Sequence, residues 1–509
     1  MIEKISTALH QASKSSVEPD NARTTKWGYL FGLLVVLQAL SLSLYLGKAD
    51  QVGFPLDDAW IHQAYARNLG LHGMMAFSPG QPSTGSTSFG WTVLLAAGYR
   101  LDLPFLPWTY LLGSSFAIGT ALAAAYLSWT YFKSLVNATL VAILCILEWH
   151  LAWASVSGME IGFFTALTLL FFLLIHRRAS PFIVGGLIGC IVLVRPEGIL
   201  LSLVYLWRLH STQRGEARHI LSNAVAFLLT VLIVISPWIA FNLSFGHRPF
   251  PNTISAKFMQ YGYPWSPWKS VKYAWDVLIY FLNGPLLLLV PGAVFTVYRA
   301  IRMRDVSYLH PVAWSVTLVG LYAVALPAIY DHGRYLMPLI PLVIIYGVDG
   351  LAQILRSFVR SRLLRAAVWL SVFGMALLLW INGASDYAHR IQLFHWVHMP
   401  AARWINVNVP QDAVIATHDI GIIGYYTERQ IVDLAGLVTP EIVPIMDEPK
   451  KLAEFLQKRN VTYLGVYSGY YRELLDLLNA QVVFSPGAER LRAMGVEPFE
   501  IYEIVNSNE

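Results

Sequence analysis

The sequence predicts an α-helical polytopic membrane protein that ends in a small soluble α/β domain. Of its 509 residues, 56% are hydrophobic and only 13% are charged, about half the charged share of an ordinary soluble protein. The apolar residues recur between residues 27 and 383 in blocks of about twenty, the length that crosses a bilayer. After residue 384 the charged share rises, and strand-like and helix-like runs alternate. A water-soluble enzyme and a disordered chain are therefore excluded.

The charge pattern indicates membrane topology and no polyanionic partner. The formal net charge is +5, but the Lys and Arg residues alternate with apolar blocks and form no single patch. We therefore expect no nucleic acid among the partners. The two cysteines, Cys145 and Cys190, both lie inside apolar blocks. This placement predicts small hydrophobic side chains without a disulfide framework.

The apolar blocks predict about eleven crossings. Residues 1–26 carry four cations and precede a block from Trp27 to Leu46, which is longer than the apolar region of a secretory signal and reads as an uncleaved anchor. The other blocks lie near 106–132, 136–155, 160–175, 182–194, 198–209, 220–241, 277–298, 311–329, 335–355 and 363–383. An odd number of crossings puts the C-terminus outside, and the cation-rich predicted inner loops agree. The fourth to sixth blocks are short, and merging any pair would invert everything downstream.

This topology divides the chain into three parts. We expect a cytoplasmic tail at 1–26, a transmembrane domain at 27–383 with a first external loop at 47–104, and an extracytoplasmic α/β domain at 384–509. Two short helices, Asp57–Leu69 and Ser88–Tyr99, are expected along the membrane interface within the first loop. The predicted strands of the last domain are Ala413–Ala416, Val461–Val466 and Phe499–Ile504, and its predicted helices are Lys450–Lys458 and Tyr471–Leu478. We expect this protein in a bacterial inner (plasma) membrane.

Two adjacent carboxylates, Asp57 and Asp58, begin the first of these short helices. One of them could act as a general base whose pKa is adjusted by its low-dielectric surroundings, while the other orients it or binds a cation. Alternatively, Asp57 caps the helix and Asp58 complements its dipole. The pair alone does not decide between these interpretations.

Further polar groups stand where predicted crossings meet the outer face. Lys257, Arg334 and Arg195 are candidates for holding a phosphate, since Lys and Arg donate charge-assisted hydrogen bonds to phosphate oxygens. Each of these residues could instead snorkel at a helix end and pair with a neighbour. Other polar residues of the outer face are candidates for binding substrate, namely His62, Arg67, Glu160, Glu197, Asn252, His332 and Tyr335.

Taken together, these strings resemble the GT-C class of integral membrane glycosyltransferases, which use polyprenyl-phosphate sugars, and within it the arabinofuranosyltransferase-like and dolichyl-phosphate-mannose mannosyltransferase-like branch. The matching strings are Asp57–Ile61, Tyr65–Leu69, Gly73, Phe77–Gly80, Gly85–Trp91, Ser157–Glu160, Arg195–Gly198, Pro251–Thr253 with Ala256–Lys257, and Gly333–Tyr335 with Pro338 and Pro341. Family members have the first of these strings directly after their first crossing. His62 and the pair Phe89–Gly90 depart from common family strings, so the acceptor pocket is expected to differ.

The resemblance implies that an Asp of the first external loop is the catalytic base, here Asp57 or Asp58. It also implies a helical bundle around a lipid-lined groove, with a soluble C-terminal domain outside. The predicted reaction transfers a sugar from a polyprenyl phosphate to an acceptor hydroxyl of a glycan, lipid or protein. Direct displacement with inversion is the simplest mechanism, because no second carboxylate is required to form a glycosyl-enzyme.

Two alternatives and one cofactor stay open. A lipid or lipid-linked-sugar transporter or flippase would need ionisable groups near the bilayer midplane, of which Glu148 is the clearest candidate. A structural or assembly protein would keep its function when Asp57 and Asp58 are replaced. No cofactor is certain, although Asp57, Asp58 and Glu160 could share a divalent metal ion.

Overall fold

A computed structural model of the chain describes residues 20–212, 217–259, 265–327 and 329–505. Most of the predicted cytoplasmic tail, residues 1–19, lies outside these ranges. The helices that precede the C-terminal sheet are α1 Asp20–Lys48, α2 Asp57–His72, α3 Phe89–Arg100, α4 Phe105–Phe132, α5 Leu135–Leu147, α6 Trp149–Val156, α7 Ile161–His176, α8 Pro181–Val194, α9 Leu201–Thr212, α10 Ala217–Gly246, α11 Asn252–Lys257, α12 Pro267–Asp276, α13 Pro285–Met303, α14 Leu309–Ala325, α15 Ile340–Phe358, α16 Arg362–Trp396 and α17 His398–Asn408.

The predicted fold class is confirmed, since the protein is helical and membrane-integral with a small C-terminal sheet. Within the described ranges, seven helices are long and apolar enough to cross a bilayer, or up to eight if the bent pair α5 and α6 is one span. Two further apolar helices, α7 and α8, are shorter. The predicted count of eleven crossings is therefore not confirmed. The predicted domain boundary at residue 383 falls within the 35-residue helix α16.

Local sequence explains how several of these helices begin and end. Ser134 and Ser180 each accept a hydrogen bond from a backbone N–H in the first turn of α5 and α8, the usual work of a capping serine. Glu148 separates α5 from α6 by capping the second helix, and the two helices meet at a bend of 55°. Helix α2 ends at Gly73, which adopts a left-handed conformation with φ of 67°.

Both helices predicted in the first loop, residues 47–104, are present. Helix α2 begins at Asp57, as predicted, and continues three residues beyond the predicted end, to His72. Helix α3 occupies Phe89–Arg100 and packs closely against α2. Gly70 permits this approach, because an added Cβ would lie 2.6 Å from the carbonyl oxygen of Ala96.

The C-terminal part holds a five-stranded sheet in the order β2-β1-β3-β5-β4. Its elements are β1 Val414–Thr417, α18 Ile420–Thr427, β2 Gln430–Asp433, α19 Pro449–Lys458, β3 Val461–Tyr467, α20 Ser468–Leu477, β4 Ala480–Phe484, α21 Ala488–Ala493 and β5 Phe499–Ile504. Strand β1 pairs in parallel with β2 and β3, whereas β5 is antiparallel to β3 and β4. The three predicted strands and two predicted helices are present, and β2 and β4 were not predicted.

The two faces of this sheet bury different cores. Ile415 and Ile501 join a large apolar core that extends through the helical bundle. Ala416 and Tyr502, their neighbours on alternate faces, join a smaller core beneath α19 and α20. Helix α18 packs against α2, so the C-terminal sheet is built onto the first loop.

Candidate active site

Two cavities meet beside the start of α2. The larger has a volume of about 600 Å³ and lies among the first loop, α11, α14 and the turn before α15. The smaller, of about 360 Å³, lies between the helical bundle and the C-terminal sheet. The side chains that line both cavities are Asp58, Ile61, Lys257 and Leu437. A carboxylate and an ammonium group therefore stand at the boundary between the two spaces.

Asp58 is the carboxylate at this boundary, and its side chain retains 24% exposure. Its Oδ2 accepts a hydrogen bond from Nη2 of Arg334 and another, at 3.4 Å, from Nζ of Lys257. Burial raises the pKa of Asp58, but the charges of Lys257 and Arg334 outweigh it and hold the pKa below its usual value. The group is therefore ionised at neutral pH.

The two cations around Asp58 come from separate parts of the chain. Lys257 ends the short helix α11, and Arg334 lies in the turn that precedes α15. Both donate to the hydroxyl of Tyr335, at 3.0 and 3.4 Å respectively. Nε and Nη1 of Arg334 are buried and make no hydrogen bond within the described residues. Among the described residues, three N–H bonds of this guanidinium therefore lack a hydrogen-bond acceptor, and Nη1 lies 3.9 Å from Oδ2 of Asp331.

A second charged cluster also lines the larger cavity. Arg195 donates to Glu197 at 2.5 Å and to Glu160 at 3.0 Å. His62 Nε2 lies 3.4 Å from the other oxygen of Glu160. The guanidinium of Arg195 also lies 4.9 Å from the centre of the Tyr335 ring, on which it packs. All three nitrogens of Arg195 donate a hydrogen bond, to Glu197, Glu160 and Tyr322, so Arg195 is less available to an anion than Arg334.

Asp57 turns away from the larger cavity toward the C-terminal sheet. Its two oxygens accept hydrogen bonds from the backbone N–H groups of Gly421 and Ile422, at 2.6 and 3.0 Å, at the start of α18. Burial and the nearby Asp419 raise the pKa of Asp57 to about 7. Asp419 itself pairs with His398, and this contact lowers its pKa. The adjacent carboxylates Asp57 and Asp58 therefore have different surroundings and opposite pKa shifts.

The overall architecture matches solved structures of membrane glycosyltransferases. ArnT from Cupriavidus metallidurans bound to undecaprenyl phosphate is similar over 94% of this chain and 98% of its own, with a TM-score of 0.59 and 15% identity. The apo oligosaccharyltransferase of Archaeoglobus fulgidus is similar over 88% of this chain and 71% of its own, with a TM-score of 0.61 and 13% identity. The fold is that of the GT-C class.

A further solved structure is similar to this chain, and the sequence comparisons name no activity. The Archaeoglobus fulgidus oligosaccharyltransferase AglB, in complex with an inhibitory peptide and a dolichol-phosphate, is similar over 88% of this chain and 71% of its own, with a TM-score of 0.57 and 12% identity. A family model described as a domain of unknown function (DUF8728) matches residues 385–502. None of the curated protein sequences matches this chain.

Most of the candidate residues predicted from sequence line these two cavities. The larger cavity is lined by Asp58, by all three candidate phosphate-binding cations, and by His62, Glu160, Glu197 and Tyr335. Asp57 lines the smaller cavity. The structure therefore brings together groups that are more than 270 residues apart, such as Asp58 and Arg334 with a separation of 276.

Three predicted substrate-binding residues line neither cavity. Arg67 donates to the carbonyl oxygen of Tyr425 and pairs with Glu428, at 2.8 Å in each case, and so joins α2 to the C-terminal domain. Asn252 donates to the hydroxyl of Thr84 at 2.8 Å. His332 contacts Asp386 at 2.9 Å. The polar groups of these three residues contact other parts of the protein, and a part for them in substrate binding stays a prediction.

Asp57, Asp58 and Glu160, which could share a divalent metal ion, do not form one cluster among the described residues. Among the described residues, no group of three or more His, Cys, Asp or Glu side chains comes together as a metal site requires. Asp57, Asp58 and Glu160 each turn to a different partner, which are α18, Arg334 and Arg195 respectively. Participation of a divalent ion stays a prediction.

Sequence reasoning missed the residues that the C-terminal domain adds to the smaller cavity. These include His398, His418, Asp419 and Tyr467, and the helical bundle adds Asp331 and Arg390. The available signal was the string Asp419-Ile420-Gly421 after a predicted strand, where a polar side chain and a glycine stand at the carboxyl edge of a sheet. That string gave no indication that it would contact the first loop.

Proposed function

We propose that this protein is a membrane glycosyltransferase that moves a sugar from a polyprenyl-phosphate donor to an acceptor hydroxyl. The observation that carries the proposal is the position of the Asp58 carboxylate, between Lys257 and Arg334 and at the boundary of two cavities. A base at such a boundary can receive a proton from a hydroxyl on one side while a sugar phosphate is held on the other.

The larger cavity suits a lipid phosphate because it combines an apolar mouth with cations. Among its lining side chains, Ile199, Phe250, Ile254 and Phe258 are each more than 40% exposed. These apolar groups fit an isoprenoid chain that arrives from the bilayer. The solved GT-C structures of ArnT and AglB contain undecaprenyl phosphate and dolichol-phosphate, which supports a donor of this class.

Lys257 and Arg334 are proposed to hold the donor phosphate. A phosphate monoester leaves as an anion, so its departure depends on charge neutralisation more than on protonation. Nε and Nη1 of Arg334 make no hydrogen bond within the described residues, so they can donate to phosphate oxygens without breaking one. Arg195 is proposed to have a smaller part, because Glu160 and Glu197 already pair with it.

Asp58, and not Asp57, is proposed as the general base. Both carboxylate oxygens of Asp57 accept hydrogen bonds from backbone N–H groups of α18. Asp58 is ionised but strongly stabilised by its cations, which makes it a weak base before the donor binds. A bound phosphate would compete for Lys257 and Arg334, raise the pKa of Asp58, and so strengthen the base where the acceptor hydroxyl lies.

We further propose that the face carrying the C-terminal domain is extracytoplasmic and that the membrane is a bacterial inner membrane. The excess of Lys and Arg in the loops predicted on the opposite face supports this orientation. The domain limits at 26 and 383 are proposed on the same topology. Whether the transferred sugar is a pentose or a hexose is tested with the donor panel described below.

The proposal is tested by reconstituting the protein in lipid vesicles with a panel of polyprenyl-phosphate pentoses and hexoses. We expect sugar transfer by the wild type and a loss of about 10²–10⁴-fold in Asp58→Asn. Asp50→Asn is the matched control, since Asp50 is an exposed carboxylate of the same loop. Movement of lipid-linked sugar between leaflets without transfer would favour the flippase alternative, and unchanged transfer in Asp58→Asn would remove Asp58 as the base.

A further inference from the structure

The C-terminal sheet has an unexplained crevice at its carboxyl edge. The parallel strands lie in the order β2-β1-β3. The connection after β1 leads to β2 on one side of β1, and the connection after β2 leads to β3 on the other side. Ligands of open α/β sheets bind at such a reversal point, outside the carboxyl ends of the strands. His418 and Asp419 directly follow β1, and Tyr467 ends β3. All three side chains line the smaller cavity.

The first loop decides which ligand this crevice can take. In nucleotide-binding α/β folds, a phosphate sits on the N-terminus of the helix that follows the first strand. Here that position belongs to Asp57, whose carboxylate takes the N–H groups of Gly421 and Ile422. Gly421 makes this approach possible, because an added Cβ would lie 2.1 Å from the carbonyl oxygen of Asp57. A phosphate ligand is therefore displaced from the crevice by a side chain of the protein.

The charges of the smaller cavity also disfavour an anion. Of its two Lys or Arg side chains, Arg390 pairs with Asp331 at 3.2 Å, and Lys257 pairs with Asp58 and is assigned above to the donor phosphate. The carboxylates Asp57 and Asp419 lie on the sheet side without a Lys or Arg partner within the described residues. An anionic group entering the cavity would meet these two carboxylates and find no unpaired cation.

The remaining lining groups match a polyhydroxyl compound. Nδ1 of His398 makes no hydrogen bond within the described residues, although this side chain is 4% exposed. Carboxylate oxygens and imidazole nitrogens exchange hydrogen bonds with hydroxyl groups. Tyr330, Phe394 and Tyr467 supply aromatic surface, on which the C–H faces of a sugar ring can pack. The volume of about 360 Å³ lies at the lower end of the range for small-molecule sites.

We propose that the smaller cavity is the acceptor subsite and takes an uncharged saccharide, with the carboxyl edge of the C-terminal sheet as its specificity-determining wall. This inference rests on the proposed function, because Asp58 at the cavity boundary is the base that would receive the proton of the acceptor hydroxyl. It gives the region matched by the family of unknown function a definite part in the reaction, which is the choice of acceptor.

Binding can be measured without a donor, which separates this inference from the proposed function. Purified full-length protein in lipid nanodiscs is titrated, with saturation-transfer NMR as the readout, against methyl pyranosides and furanosides, a methyl glucuronide and a short Ser/Thr peptide. We expect binding of uncharged glycosides, weakened at least about tenfold in Tyr467→Ala and in His418→Ala. Tyr470→Ala is the matched control, because Tyr470 lies three residues beyond Tyr467 and is 83% exposed.

Each result of these binding measurements supports the inference or counts against it. Absence of glycoside binding, preference for the glucuronide or the peptide, or equal binding by both cavity variants and the control would overturn the inference. Thermal unfolding of each variant identifies any that does not fold, and His418→Ala keeps the test valid if Tyr467→Ala is one of them. Where wild-type protein consumes a donor, the cavity variants should raise the acceptor KM more than they lower kcat. Glycoside binding without donor use would support a saccharide site in the smaller cavity but count against the proposed function, and with it against the acceptor role of this site.

Discussion

The carboxylate of Asp57 accepts a 2.6 Å hydrogen bond from the backbone N–H of Gly421, 364 positions later in the chain. This contact joins the start of α2, which carries the proposed base at the next residue, to the start of α18 in the C-terminal domain. A displacement of the C-terminal domain would therefore displace the start of α2, which carries the proposed base. Asp57 is best understood as a positioning residue, and several expectations follow from its separation from Asp58.

Removal of the Asp57 side chain should loosen the C-terminal domain. Asp57→Ala leaves two N–H groups of α18 without their acceptors, at a cost of about 1–3 kcal/mol for a buried unsatisfied group. We expect faster hydrogen exchange of residues 418–428 and a lower unfolding temperature of the detergent-solubilised protein. Asp50→Ala should change neither quantity. Unaltered exchange in Asp57→Ala would contradict the positioning role.

The same contact can be broken from the other side by adding one methyl group. Gly421→Ala places a Cβ 2.1 Å from the carbonyl oxygen of Asp57, where backbone must move. We expect transfer to fall together with protection of residues 418–428 from exchange. Gly374→Ala is the control, because nothing lies within 4 Å of the Cβ it adds. A fully active Gly421→Ala protein would argue that domain docking is dispensable.

The stability of the protein should carry a signature of Asp57 ionisation. Its folded pKa of about 7 lies above the usual value of 3.8, so the neutral form is favoured in the folded state. The associated stabilisation is fully present below about pH 4 and is lost as the pH rises through 7. We expect the unfolding temperature of the wild type to fall, relative to Asp57→Asn, between pH 5 and pH 8. Parallel curves would show that Asp57 ionises normally.

Loss of either cation beside Asp58 should weaken donor use. A charge-assisted hydrogen bond contributes about 1.5–3 kcal/mol, so Lys257→Met should raise the donor KM by roughly 10- to 150-fold. The same experiment on Arg334→Met should also raise the apparent pKa of the base, because Asp58 loses a neighbouring positive charge. Lys450→Met, which removes an exposed lysine of the C-terminal domain, serves as the control. Unchanged donor KM values would show that the donor phosphate is bound by other residues.

The product should carry the anomeric configuration opposite to that of the donor. Asp57 is held by α18 and Glu160 by Arg195, whereas Asp58 lies between Lys257 and Arg334 at the proposed reaction centre. Direct displacement needs only this base, whereas retention through a glycosyl-enzyme needs a second group at the anomeric carbon. The anomer is read from the coupling constants of the purified product by NMR. A retained configuration would exclude single displacement.

The sequence predicted those features that depend on short stretches of chain. Apolar blocks of sufficient length indicated the membrane helices, and the first loop showed helix α2 beginning at Asp57. Lys257, Arg334 and Asp58 were all candidates, because each stands at a predicted helix end on one membrane face. Arg67, Asn252 and His332 met the same criterion but hold other parts of the protein. Charge at a helix end is a local property, and the direction of the side chain is not.

Chain periodicity, length and charge were thus enough to determine a helical membrane protein with an α/β domain and an acidic pair at the start of α2. The tertiary structure alone decided that Asp57 faces α18 while Asp58 faces Arg334, although the two residues are neighbours. Successive side chains on a helix point about 100° apart. Two adjacent carboxylates therefore face different parts of the fold. Here one side holds the C-terminal sheet and the other holds two cations, and that difference separates a positioning group from a proposed base.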